Sequence, residues 1–80
     1  MDFWSRMQIT VKLFAGYRIG RFKEAVQDYP AGFSVGDLFQ ALGFAGMPPG
    51  IVLVNGQPIS TNRELCNGDT VALFPLVSGG

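Results

Sequence analysis

The chain has 80 residues, 48% of them hydrophobic and 15% charged, with six basic and six acidic side chains and no net charge. So short a chain forms one domain that buries only about 60–65% of its unfolded surface, and so apolar a composition excludes a disordered tail. With no histidine and one cysteine, Ser-His-Asp and Cys-His catalysis, a disulfide framework and most metal sites are excluded as well.

The charge balance argues against a nucleic-acid partner, which a basic excess usually marks. No apolar run approaches the ~18–20 residues that span a bilayer. The segment Met1-Asp2-Phe3-Trp4-Ser5-Arg6 carries an acid where a secretory leader would be basic. The expectation is a cytoplasmic protein with no membrane partner. Residues 1–6 read as an N-terminal extension, because the regular pattern starts at Met7. Phe3 and Trp4 are expected to fold back onto an apolar patch, since two exposed aromatics are costly.

From Gln8 to Phe14 the chain alternates, with Ile9, Val11 and Leu13 on one face and Gln8, Thr10, Lys12 and Phe14 on the other. Period two with β-branched residues predicts a half-buried strand. Ala15 to Gly20 reads as a turn. Phe22 to Tyr29 can pair back as a second strand, stopped by Pro30 and Gly32. Ser34 is a helix N-cap candidate, and Asp37 puts an acid into the positive first turn. Val35, Leu38, Phe39 and Leu42 then fall on one helical face, and Gly43 can end the helix in a left-handed cap.

Phe44 to Gly50, with two prolines and two glycines, is a loop. Phe44, Met47 and the helical Phe39 are read as packing residues. Ile51–Val54 is a continuous apolar run, which suits a central strand. Asn55-Gly56 is a hairpin turn signal, because both positions tolerate positive φ. Gln57-Pro58-Ile59 returns as a brief edge strand, since Pro58 cannot donate to a ladder. Ser60 to Asn67 is a polar loop anchored by Leu65, Asn67-Gly68-Asp69 is a turn, and Thr70–Phe74 alternates as the last strand. Val71 points Leu73 to the core and leaves Phe74 on the opposite face. The predicted fold is α+β: a mixed sheet of four to five strands with one main helix on one face, the first two strands forming a hairpin and the helix crossing over to bring a later strand parallel to the first.

The C-terminus, Pro75-Leu76-Val77-Ser78-Gly79-Gly80, carries the chemistry. A terminal Gly-Gly turns nothing, because no chain follows it. It makes a thin peptide ending in a carboxylate, able to thread a channel where a β-carbon would clash; a frayed end is the plain alternative. Cys66 is not read as a sulfur-transfer residue, because no His or Lys lies near it in sequence to lower its thiol pKa. Arg18, Arg21 and Lys23 form a small basic cluster, either a solvated loop or a contact to an acidic partner.

Leu65, Gly68-Asp69, Val71-Ala72-Leu73-Phe74-Pro75 and Val77-Ser78-Gly79-Gly80 resemble the end of the ubiquitin-like sulfur-carrier family, nearest its molybdopterin synthase small-subunit branch. Ile9 to Ala15, Ser34-Val35 and Val54-Asn55-Gly56 follow in family order, so the resemblance covers residues 7–80. It implies a β-grasp domain over 7–75 and a tail over 76–80. A ubiquitin-activating-type enzyme would adenylate the Gly80 carboxylate with ATP. Sulfur would then make it a thiocarboxylate, donated in the active site of a partner such as the large subunit of molybdopterin synthase. No cofactor would be bound by the chain itself. Gly79 and Ser78 would thread the partner's channel, and Phe74, Pro75, Leu76 and Val77 would dock on it, with no catalytic side chain and no metal in this chain. A thiamine-pathway carrier, a ubiquitin-like modifier that ends in an amide with a protein lysine, and a non-covalent binding module remain open beside this reading.

Overall fold

The computed structural model describes residues 6–44 and 50–75. Strand β1 (Arg6–Leu13) buries Met7, Ile9, Val11 and Leu13 and turns the residues between them to the other face, as its period-two pattern requires. It pairs antiparallel with β2 (Glu24–Pro30), in register from Arg6↔Pro30 to Lys12↔Glu24. Several boundaries differ from the sequence expectation, and Phe14, read as the end of the first strand, lies just past β1. Arg6, read as part of the extension, is already paired in β1, while Phe22 and Lys23 precede β2 rather than opening it. Pro30 is the last residue of β2 instead of its stop. β2 lies at the edge of the sheet, where a missing N–H breaks no ladder. Between the two strands, the expected turn contains a short 3-10 helix at Ala15–Arg18 that places Tyr17 in the core.

Helix α1 (Val35–Ala41) is held at both ends by local chemistry. At its start, Asp37 N–H donates to Ser34 Oγ at 3.1 Å and Ser34 N–H donates to Asp37 Oδ2 at 3.0 Å, a reciprocal capping box. The two remaining free amides of the first turn donate to the loop that follows β4: Val35 N–H to the Arg63 carbonyl and Gly36 N–H to the Thr61 carbonyl. At its end Gly43 takes φ 86°. Its N–H bonds the Gln40 carbonyl, and Phe44 N–H bonds the Phe39 carbonyl. That pair of bonds is the Schellman motif, and the Phe39–Phe44 ring contact at 5.1 Å is its accompanying apolar contact. Val35, Leu38 and Phe39 face the sheet; Phe44, placed in a loop by the sequence, is wholly buried beside them.

Strands β3 (Ile51–Val54) and β4 (Gln57–Pro58) form the expected hairpin. Asn55 and Gly56 both have positive φ, 53° and 85°, the combination a type I′ turn demands. Strand β5 (Thr70–Phe74) then enters between β1 and β3, parallel to the first and antiparallel to the second. The sheet order is β2-β1-β5-β3-β4, with Pro58 on an edge as expected. The helical crossover does bring the last strand beside the first.

The core lies between α1 and one face of this sheet. Val11↔Val71, Leu13↔Leu73, Val52↔Leu73 and Val54↔Val71 are register neighbours, and all are buried. Leu65 closes the core from the long loop. β3 is a central strand, as expected, paired with β5 and β4, but among the described residues one helix covers one face, so it buries one side only. Val52 and Val54 are buried, but Ile51 is 60% exposed and Leu53 half-buried. An unbroken apolar run here does not mean burial on both faces. Among the described residues no helix is long and apolar enough to cross a membrane.

Candidate functional site

Strand β5 delivers the chain to its terminus, and alternation decides what surrounds that exit. Leu73 is fully buried and Phe74 lies half-buried on the sheet face opposite α1, as the sequence pattern implies. Phe74 is not isolated there. Its ring stacks on Phe14, centroids 4.2 Å apart and planes within 10°, an arrangement that adds to simple burial. Arg18 extends the stack, its guanidinium carbon 5.3 Å from the Phe14 centroid, and Arg18 Nε donates to the Leu13 carbonyl at 2.7 Å. On the other side of Phe74, Ile51 is its register partner. Leu53 and Ala72 pair one step along, and Pro58 lies opposite Leu53.

Among the described residues these form a run of apolar neighbours on the sheet face opposite α1, beside the half-buried Pro75, with Lys12 paired to Ala72 at its margin. Of the site residues expected from sequence, Phe74 and Pro75 are brought together here. Leu76, Val77, Ser78, Gly79 and Gly80 lie outside the described residues, as do Met47 and the proposed fold-back of Phe3 and Trp4. Phe14 and Ile51 were not singled out from the sequence, and Arg18 was singled out only as part of the basic cluster. A signal existed for Phe14: it is the one apolar side chain on the polar face of the predicted Gln8–Phe14 strand, and it lies just past the end of β1.

The basic cluster divides. Arg21 is exposed but engaged: its Nε donates to the Leu42 carbonyl at the end of α1, and its guanidinium sits 4.2 Å from the Phe44 centroid. A cation there complements the negative end of the helix. Arg18 belongs to the tail-base stack. Lys23 is exposed, and its carbonyl accepts from Leu13 N–H.

At the opposite end of β5, Asp69 is the buried charged residue among those described, 6% exposed. Its Oδ1 accepts from Asn55 Nδ2 at 2.9 Å, and its Oδ2 from Cys66 N–H at 2.8 Å and from Arg63 at 3.4 Å. Asn55 completes the clamp by accepting from Thr70 N–H at 3.0 Å. Burial alone would push the Asp69 carboxyl up. The Cys66 amide, the Asn55 amide and the Arg63 charge outweigh it and hold the group below the ordinary carboxylate range. Cys66 itself is a free, exposed thiol whose main chain serves this clamp. Among the described residues no cluster of three potential metal ligands is present, and none of the groups above forms an acid–base pair around a cleft. The arrangement presents an adhesive surface next to an emerging peptide, held by a rigid strand.

A mixed five-stranded sheet with one helix across one face is the β-grasp architecture, and with this terminus it defines the class of ubiquitin-like carriers and modifiers. The comparison with known families makes the assignment specific. The ThiS family pattern matches residues 11–80, and the chain belongs to the ThiS family. Solved structures agree. The HVO 2177 protein of Haloferax volcanii is 28% identical, with a TM-score of 0.78 over 95% of this chain and 89% of its own. A putative molybdopterin converting factor subunit 1 from Pyrococcus furiosus is 30% identical, with a TM-score of 0.73 over 89% of this chain and 99% of its own. Small archaeal modifier protein 1 of Haloferax volcanii is 28% identical, with a TM-score of 0.72 over 89% and 99%.

Proposed function

We propose that this chain is a sulfur carrier for molybdopterin-type cofactor synthesis, with the Gly80 carboxylate as its working group. A carboxylate is a poor electrophile. Attack of its oxygen on the α-phosphorus of ATP, in an activating enzyme, expels pyrophosphate and leaves an acyl-adenylate. Hydrosulfide then displaces AMP, and the resulting thiocarboxylate is itself a strong nucleophile near neutral pH. None of these steps needs a side chain of the carrier. The carrier must dock and extend its end, with Gly79 and Ser78 threading the partner's channel. The sheet face of Phe14, Phe74, Ile51 and Leu53 is suited to docking, with Pro75, Leu76 and Val77 continuing from it. The observation that carries this reading is the continuity of that apolar patch with the strand that feeds the Gly-Gly terminus. The large subunit of a molybdopterin synthase is the acceptor partner in this reading; the Pyrococcus furiosus relative named as a converting-factor subunit supports it.

Conjugation to a protein lysine is the second reading, favoured by the likeness to small archaeal modifier protein 1. A thiamine-pathway acceptor is a third, with the same tail chemistry. One experiment separates the first two. The full chain is incubated with ATP, a sulfur source and its activating enzyme, and the C-terminal peptide is weighed. Sulfur in place of one oxygen on Gly80 is the expected result. An adenylate that takes no sulfur but forms amides with protein amines would establish the modifier instead. A carboxylate that never reacts would sink both. Presenting the thiocarboxylated carrier to molybdopterin-type and thiamine-type acceptor enzymes then assigns the pathway.

A further inference from the structure

Asn55 is followed by Gly56, and this pair is chemically labile. The Gly56 backbone nitrogen can attack Asn55 Cγ with no side chain in its way. Ammonia leaves and a five-membered succinimide forms. Water then opens the ring to aspartate or isoaspartate at position 55. The fold opposes the first step. Both polar atoms of the Asn55 side chain are engaged, Nδ2 with Asp69 and Oδ1 with Thr70 N–H, while its main-chain N–H donates to the Thr70 carbonyl at 2.8 Å. Held this way, Cγ cannot swing onto the Gly56 nitrogen. The second Asn-Gly pair, Asn67-Gly68, is held differently. Its attacking nitrogen is itself bonded, Gly68 N–H to the Gln8 carbonyl at 2.8 Å, and Asn67 Oδ1 accepts from Gln8 N–H.

The consequences at position 55 are severe. The new carboxylate would lose the donor that faces Asp69 Oδ1 and put a like charge about one hydrogen-bond length from a buried anion. That repulsion falls where the β3–β4 hairpin is tied to the start of β5. We propose that Asn55-Gly56 is a latent deamidation site, silenced by the Asn55–Asp69 clamp, and that its conversion opens the clamp irreversibly. The proposal does not depend on the sulfur-carrier reading.

Two measurements on the full chain test it. In the first, the protein is aged at mildly alkaline pH, folded and in urea, and the peptide containing residue 55 is analysed for aspartate and isoaspartate. Two retained hydrogen bonds should slow the folded reaction by on the order of tenfold or more. Equal rates in the two conditions would overturn the silencing. The second uses designed changes. Asn55→Asp should lower the thermal midpoint by about 5 °C or more. Asp69→Asn should also lower it, because its amide then faces the Asn55 amide donor to donor. The swapped pair, Asn55→Asp with Asp69→Asn, exchanges donor and acceptor, so it should recover much of the loss. An unchanged midpoint in Asn55→Asp, or simple addition of the two losses in the swap, would overturn the clamp. If Asp69→Asn does not fold alone, the aged wild-type protein and the swap still decide.

Discussion

Asp69 shows how much one residue can depend on contacts distant in sequence. Its place in a turn before the last strand is legible from Asn67-Gly68-Asp69. Its burial and its anchoring of Asn55 and Arg63 are not, because Asn55, 14 residues away, meets it when β3 and β5 pair, and Arg63, six residues away, reaches it from the preceding loop. The clamp also fixes a pH dependence. The folded-state pKa is lowered below an unfolded value near 3.9. Its stabilisation is therefore fully present above that value and is lost as pH falls through the folded pKa. Thermal melts should show wild-type stability dropping below about pH 4, and Asp69→Asn, weaker at neutral pH, should show a shallower drop. Equal acid slopes for the two would remove Asp69 from the acid response.

Single elements differ in how much of themselves they encode. The helix is nearly self-contained. Ser34, Asp37 and Gly43 occupy cap positions that can be found without the structure, because capping bonds span only three or four residues. Ser34→Ala breaks one arm of the box and should cost about 1 kcal/mol in chemical denaturation. A loss under a few tenths would mean that the Arg63 and Thr61 carbonyls alone hold the helix start. Strand β3 is the opposite case. Ile51 to Val54 reads as uniformly apolar, and only the one-sided cover by α1 makes Val52 and Val54 core and Ile51 surface. The edges of β2 were displaced for a related reason. Pro30 is tolerable in a strand only because β2 is an edge, and sheet order is a tertiary fact.

At the scale of the molecule, the fold has a packed face and an adhesive face. Ile51 tests the division. It is the register partner of Phe74 yet contributes little to the core, so Ile51→Ser should change stability by no more than about 0.5 kcal/mol. Partner affinity should fall about fivefold or more if this face docks, since apolar anchors near an interface centre commonly cost over 1 kcal/mol when truncated. Calorimetric titration against the activating enzyme reads it. Unchanged affinity would move docking off this face and leave Phe74 as a packing partner of Phe14.

The sequence by itself determined the strands and the main helix, the helix caps, the hairpin turn, the edge position of Pro58 and the inward Leu73 with outward Phe74. It also carried the resemblance that the ThiS family match bears out. The structural features rest on periodicity, on φ preferences or on bonds between near neighbours, and the resemblance on the residues of the C-terminal segment and their order along the chain. The tertiary structure alone decided that Phe14 and Arg18 join Phe74, that Ile51 is surface and that Asp69 is clamped by Asn55. Each of these depends on which strands become neighbours, and strand order in a sheet follows from the helical crossover and the single covered face, beyond the reach of any local window.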